Sequence, residues 1–282
     1  MNITVVGLGL IGGSMALDLK SQINVNVYGV DASEENCKLA LDLNLIDKII
    51  SLPEAYEVSD VIILAVPVDV LEKLLPEVMA NIDSNVTIID VGSTKSKICR
   101  AVRNISNREN YVASHPLAGT EFSGPNAAIS GLFRNAKNIV CERDLSGKAH
   151  LEKALRVFKS LGMNSFFLSP DEHDRHLAYV SHLSHVTSFS LGLTVLEIEK
   201  DEQQIFNLAS TGFRSTSRLA KSNPQTWKAI FTKNQEYLVE SLERYIGTLV
   251  TFKEAIEKND ENQLIDLMQK ANDIKRILDK KN

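Results

Sequence analysis

The chain has 282 residues, 44% of them hydrophobic, with a formal net charge of -5 and a pI near 5.7. That length exceeds the usual size of a single core, so two domains are expected, with ample apolar content for both. The acidic balance, the absence of any Lys/Arg run and the absence of an apolar run of membrane-spanning length exclude a nucleic-acid surface and a membrane partner. In chain order, apolar strand patterns fall at 2–7, 25–30, 60–66, 86–91, 111–114, 138–142 and 164–168. Amphipathic helices at 10–21, 33–43, 68–80 and 148–161 separate them. Continuous apolar strands suit a parallel sheet covered on both faces. Beyond residue 168 strand signals stop. Ser169-Pro170-Asp171 reads as a hinge and helix start, and helical patterns follow at 171–198, 201–222, 225–258 and 260–279, broken at Pro224 and Asn259-Asp260. The expected fold is α/β: a Rossmann-like doubly wound sheet over 1–169, then an all-helical dimerisation domain over 170–282.

The first strand runs straight into Gly7-Leu8-Gly9-Leu10-Ile11-Gly12. Gly7 allows the tight turn, Gly9 lets the backbone approach a pyrophosphate, and Gly12 lets the next helix pack closely on the strand. The first amides of that helix, at Leu10 and Ile11, then aim at the phosphate. The second strand ends in Asp31, where an acid accepts hydrogen bonds from both ribose hydroxyls of NAD and repels the extra phosphate of NADP. NAD is therefore the expected cofactor. Val66 and Pro67, closing the 60–66 strand, are expected beside its adenosine and ribose.

Two further strand ends carry chemistry. Asp90-Val91-Gly92-Ser93-Thr94-Lys95 puts Ser93 at a loop tip, where it serves as a helix N-cap, as a catalytic hydroxyl, or as both. His115 ends the 111–114 strand pattern and is followed by Pro116, which biases it toward extended backbone and holds the ring at the sheet edge. A neutral imidazole there can accept a proton from a hydroxyl as hydride leaves the same carbon. The segment 171–185 holds His173, His176, His182 and His185, four of the six histidines. His173 and His176 share a helical face, as do His182 and His185, but no Cys or Glu stands at ligand spacing and no metal site is expected. These histidines are read as packing at a domain interface opposite His115. Arg214 and Arg218, one turn apart on the 201–222 helix, read either as solvated helix arginines or as a pair able to hold a carboxylate. The three cysteines, Cys37, Cys99 and Cys141, are odd in number and read as reduced thiols. With no leader pattern ahead of the first strand, a cytoplasmic location is expected.

Together, the glycine loop, Asp90-Val-Gly-Ser93-Thr-Lys95, His115-Pro-Leu-Ala-Gly119-Thr-Glu121, His173-Asp174, Ser181-His182-Leu-Ser-His185 and Phe213-Arg-Ser-Thr-Ser-Arg218 resemble the prephenate dehydrogenase family of tyrosine biosynthesis over essentially the whole chain. The resemblance implies NAD-dependent oxidative decarboxylation of prephenate to 4-hydroxyphenylpyruvate by a homodimer. It also implies that His115 meets the ring hydroxyl, that Ser93 orients it and contacts the nicotinamide side, and that Arg218 binds a substrate carboxylate. Thr120, Glu121, His182 and His185 would line or gate the pocket. Two departures stand out: Thr211-Gly212-Phe213-Arg214-Ser215 where the family often has Gly-Gly-Phe-Arg/Lys-Asp, and Ser184 where it usually has proline. The alternative is arogenate dehydrogenase, the same chemistry with an amino group in place of the keto oxygen. A β-hydroxyacid or imine reductase would not need the His115 loop. A nucleotide-sensing module without turnover would not need Ser93, His115 and Arg218 together.

Overall fold

The computed structural model describes residues 1–22, 25–202 and 205–279. Among them, the strands β1 (Asn2–Val6), β2 (Asn26–Val30), β3 (Lys48–Ile49), β4 (Val61–Leu64), β5 (Thr87–Asp90), β6 (Tyr111–Pro116), β7 (Lys137–Cys141) and β8 (Asn164–Leu168) form one sheet in the order β3-β2-β1-β4-β5-β6-β7-β8. Every neighbouring pair is parallel except β6 and β7. The two-residue β3 is too short to leave a period in the sequence, and no strand was expected there. Strand order reverses on either side of β1, which creates the crevice at the carboxyl ends of β1 and β4 where such sheets bind ligands.

Helices α1 (Leu10–Lys20), α2 (Glu34–Asp42), α3 (Leu52–Val58), α4 (Val68–Asn81), α5 (Ser96–Val102) and α6 (Lys148–Ser160) cover the sheet. The β-branched central strands bury side chains on both faces. Ile3, Val5, Val61, Ile63 and Ile89 meet α1 and α6 through Met15, Leu19, Val157 and Phe158. Val6, Ile62, Leu64 and Ile88 meet α4 and α5 through Leu71, Leu75, Ile98 and Val102.

The first long helical pattern opens at α7 (Pro170–Leu177), where Ser169 and Glu172 form a reciprocal capping box with Pro170 in the first turn. A π turn at Ala178–His182 follows, then α8 (Leu183–Glu202). The expected continuous helix over 201–222 does not form: a 3-10 turn at Ile205–Leu208, α9 (Thr211–Thr216) and a second 3-10 turn at Arg218–Lys221 replace it, and residues 203 and 204 lie outside the described residues. Side-chain hydroxyls compete with the helix here. Thr216 donates to the Gly212 carbonyl and Ser217 to that of Phe213, while the Ser188 hydroxyl donates to the Thr216 carbonyl and accepts from Ala220 N. Arg214 and Arg218 consequently lie on different elements, not one turn apart on a single helix. The expected 225–258 helix is likewise two, α10 (Pro224–Lys233) and α11 (Gln235–Glu257), broken at Asn234.

The backbone divides into two compact units, Met1–Gln235 and Glu236–Asn282. Leu177 of α7 and Ala229 and Ile230 of α10 belong to the second sheet core, which ties these helices to the first unit. The second unit holds most of α11 and α12 (Glu261–Asp279), joined through Asn259 in the left-handed region at φ 51°. Ion pairs four residues apart line both helices, as in Lys253–Glu257 and Lys270–Asp266.

Candidate active site

The cofactor end is built at β1. Gly7 has φ +94° and donates its N–H to the Val30 carbonyl at 2.8 Å. A side chain at Gly12 would lie 1.8 Å from the Gly7 carbonyl oxygen, so only glycine allows α1 to start this close to the strand. At Gly9 a side chain would meet no protein atom within 4 Å, so the backbone in front of the amides at Leu10 and Ile11 is open and could admit a pyrophosphate. α1 has no side-chain cap and no acid in its first turn to compete for those amides. Asp31 stands half-buried at the end of β2. Its carboxylate accepts from Leu8 N at 2.8 Å, Ser33 N at 2.9 Å and Asn36 Nδ2 at 3.3 Å, bracing the glycine loop. A carboxylate has about four acceptor positions, so about one remains for a ribose hydroxyl. Val66 and Pro67 follow β4 after Ala65, with Pro67 at the N-cap of α4. These residues fit a dinucleotide.

The chemistry end is built at β5 and β6. Ser93 is not an N-cap: α5 begins at Ser96, and its cap comes from α7. Asp174 Oδ1 accepts from Lys95 N at 2.7 Å and Oδ2 from Ser96 N at 2.8 Å. Lys95 belongs to a charged cluster sealed from solvent. Its ammonium pairs with Asp90 Oδ2, and both side chains are 0% exposed. Asp90 also accepts from Tyr111 OH at 2.8 Å, Gly92 N at 3.0 Å and Ser114 N at 3.2 Å. Burial and the adjacent Asp90 charge push the Tyr111 phenol well above its ordinary range, so it stays a donor.

His115 is 9% exposed. Its Nδ1 lies 2.8 Å from Nε2 of His173, whose own Nδ1 lies 2.7 Å from Asp174 Oδ1. Burial, the neighbouring His173 and the Lys95 charge hold the His115 imidazole well below its ordinary pKa, so it is neutral at pH 7. The expected pairing of His173 with His176 on one face does not occur: His173 is buried and His176 exposed. The π turn adds a residue to the helix and thereby brings His182, not Ser181, to the buried side. Asn234 Nδ2 donates to the Asp174 carbonyl at 2.8 Å and to His182 Nδ1 at 3.0 Å. His182 therefore carries its proton on Nε2 and is a donor there. Burial brings its pKa down to about 4. His185 donates from Nδ1 to the Ser181 carbonyl at 3.0 Å and stacks on Trp227, ring centroids 3.4 Å apart.

Arg218 reaches Glu121 Oε2 at 3.3 Å, on the rim of the same region; burial and the Arg218 charge both lower the His185 pKa. Thr120 is exposed, and its hydroxyl accepts from Phe122 N at 3.3 Å. Sequence reasoning missed the internal role of Lys95, Asp174 and Asn234. Only the His173-Asp174 dipeptide, a histidine beside an acid at the start of a helix, pointed toward it.

Residues 15–166 match the family model for the prephenate dehydrogenase nucleotide-binding domain, and residues 169–270 that for the prephenate dehydrogenase dimerization domain. The chain is 30% identical over 275 residues to prephenate dehydrogenase of Bacillus subtilis (strain 168), covering 96% of this chain and 74% of that one. It superposes on prephenate dehydrogenase from A. aeolicus with a TM-score of 0.89 and 30% identity, covering 98% of this chain and 97% of that one. Synechocystis arogenate dehydrogenase superposes with a TM-score of 0.76 and 27% identity, covering 99% and 100%. The chain belongs to the prephenate dehydrogenase family of NAD-dependent oxidoreductases.

Proposed function

We propose that His115 takes the ring-hydroxyl proton of prephenate as hydride leaves the same carbon and the opposite ring carbon loses CO2, giving 4-hydroxyphenylpyruvate. NAD, when bound at the glycine loop, supplies the hydride acceptor. The electrons of the broken carbon–carboxylate bond complete the aromatic ring, and the proton held by His115 returns to the new phenolic oxygen, so no net proton is released. One observation carries this reading: His115 Nε2 has no hydrogen-bond partner among the described residues, at the carboxyl end of a sheet strand and on a ring held neutral. The A. aeolicus relative is complexed with NAD+ and hydroxyphenyl propionate, a ligand with the carbon skeleton of this product.

The other roles follow. Ser93, two residues beyond β5, orients His115 and meets the nicotinamide side; Arg218 anchors a substrate carboxylate; Thr120, Glu121, His182 and His185 line the pocket. Leu10, Ile11, Val66, Pro67 and Asp31 hold NAD. Residues 1–169 serve as the NAD-binding domain, and residues 170–282 serve substrate binding and homodimer formation. Exposed apolar side chains on α11 and α12, among them Ile246, Leu249, Ile256, Ile265 and Ile274, are what a two-fold partner would bury. No helix among the described residues is long and apolar enough to cross a membrane, and we assign the enzyme to the cytoplasm.

The test is NADH formation with prephenate and arogenate side by side. Prephenate is the expected substrate, and His115→Asn lowers kcat by on the order of 10²–10⁴ with NAD binding retained. If the variant keeps its rate, the acceptor is another group, and His185, whose Nε2 is not engaged by its Ser181 bond, is next.

A further inference from the structure

His115 does not stand alone. Its ring is joined edge-on to that of His173, centroids 5.1 Å apart, and the line of contacts continues without a gap to a carboxylate. Each member is buried and each contact is 2.8 Å or shorter, so the protons along the line have defined positions.

The assignment starts from Asp174. Both of its oxygens already face backbone amides, Lys95 N on Oδ1 and Ser96 N on Oδ2, and an amide can only donate. Burial alone would raise the Asp174 carboxyl. The His173 contact and the amides of Ser96 and Lys95 outweigh it and keep the group below its ordinary value, so it is a carboxylate at neutral pH. A carboxylate only accepts, so His173 Nδ1 must carry a proton and donate it to Oδ1. Burial keeps the His173 ring neutral, and a neutral imidazole has one proton. His173 Nε2 is then bare. The 2.8 Å contact with His115 Nδ1 is a hydrogen bond only if His115 is the donor.

We infer that Asp174 and His173 are positioning residues that lock His115 in its Nδ1–H tautomer, leaving Nε2 bare toward the substrate. The inference rests on the reading of His115 as the group that meets the hydroxyl, and it explains why that reading works. A free imidazole favours the proton on Nε2, which would present an N–H to the hydroxyl and make the ring useless as a base. The relay reverses this preference by fixing one end to a carboxylate.

The same contacts join parts of the site distant in sequence. Asp174 caps α5 across 79 residues, and His173 reaches β6 across 58. The loop bearing Ser93, the strand end bearing His115 and the start of α7 are held by one side chain pair. Asn234 adds a second, opposite assignment. By donating to His182 Nδ1 it forces the proton of that ring onto Nε2. The two buried histidines therefore present different faces, an acceptor at His115 and a donor at His182, and both tautomers trace back to Asp174, through His173 in one case and through Asn234 on its carbonyl in the other.

The experiment is long-range ¹H–¹⁵N NMR of the full chain labelled in histidine, with His115 and His173 assigned by single substitutions. The wild type is expected to show the His115 proton on Nδ1. His173→Leu should move it to Nε2 and lower kcat by on the order of 10²-fold or more, with the KM for NAD unchanged. His173→Gln puts an amide oxygen in the place of Nε2. It should keep the Nδ1 proton and recover most of the rate. A wild-type spectrum with the proton on Nε2 overturns the inference, whatever the kinetics, and this outcome needs no variant to fold. A His173→Leu protein that switches tautomer yet turns over at the normal rate would uphold the relay and instead sink His115 as the proton acceptor.

Discussion

Replacing Lys95 by Met tests whether the sealed charge cluster is what holds the site together and tunes it. In the native protein the Lys95 ammonium and the Asp90 carboxylate are each 0% exposed and face one another. The variant leaves Asp90 with three neutral or backbone donors, Tyr111 OH, Gly92 N and Ser114 N, but no opposite charge. Stripping one partner from a buried pair costs about 3–5 kcal/mol, a large share of the roughly 5–15 kcal/mol by which a typical domain is stable. The double variant D90N/K95M removes both charges and is expected to recover to within about 1 kcal/mol of the wild type, because a buried pair is close to neutral against uncharged groups of similar size. Urea unfolding of the four proteins gives the coupling directly. A second readout is independent of stability. Burial, His173, the Lys95 charge and His182 together depress the His115 pKa, so losing Lys95 removes one of four causes and should move the acid limb of kcat/KM to higher pH. A K95M protein less than 1 kcal/mol down, or one whose acid limb stays in place, would refute the reasoning.

Three more outcomes follow from the geometry. Gly9→Ala should fold normally, since its new methyl meets no protein atom, yet raise the KM for NAD; Gly12→Ala, whose methyl would overlap the Gly7 carbonyl, should lower Tm sharply. Asp31→Ala should weaken NAD by about 1.5–3 kcal/mol through loss of charge-assisted hydrogen bonds and relax discrimination against NADP, and an unchanged NAD/NADP ratio counts against its role. His182 has a folded pKa near 4 against 6.5 unfolded, so the unfolded chain binds the extra proton between those values. Its contribution, about 3 kcal/mol, is present above pH 6.5 and is lost as pH falls toward 4. The slope of stability against pH in that window should drop by about one proton in His182→Gln.

The cofactor end was legible because it is local. Three glycines and an acid at the end of the next strand act through their own backbone, and each sits where its spacing predicts. The carboxyl-end placement of Ser93 and His115 was legible for the same reason. What was not legible is set by contacts between distant residues. Lys95 reads as an ordinary loop cation until Asp90, Tyr111 and Ser114 close around it. Asn234 reads as one more helical position, and the break it makes comes from its bonds to Asp174 and His182. Of the histidines assigned to shared faces by a regular 3.6-residue period, His182 and His185 do share one, both rings meeting Trp227, whereas in α7 the contacts of His173 with His115 and Asp174 bury it and leave His176 exposed. Ser93 loses its capping role because the α5 cap is supplied by Asp174, an arrangement no local pattern encodes.

The rim of the site obeys different energetics from its floor, and Arg218 shows why. Its side chain is 54% exposed, and its partner Glu121 stands at 3.3 Å. A pair this open to water contributes about 0–1 kcal/mol, so a substrate carboxylate can take the guanidinium over at little cost. That weakness suits the reaction. A guanidinium that gripped the departing carboxylate would stabilise the ground state as much as the transition state and gain nothing in rate, whereas one that anchors the side-chain carboxylate lowers KM alone. Arg218→Ala is therefore expected to raise the KM for prephenate far more than it lowers kcat. Glu121→Gln should lower that KM, because it removes an anion that competes with the substrate for the same guanidinium, while changing stability by less than about 1 kcal/mol. Screening supplies the control: the wild-type KM should climb with ionic strength, and that dependence should flatten in Arg218→Ala. A variant that lost kcat while keeping its KM and its salt dependence would place Arg218 in the chemical step and show that its exposed pairing with Glu121 is not the resting state of a binding residue.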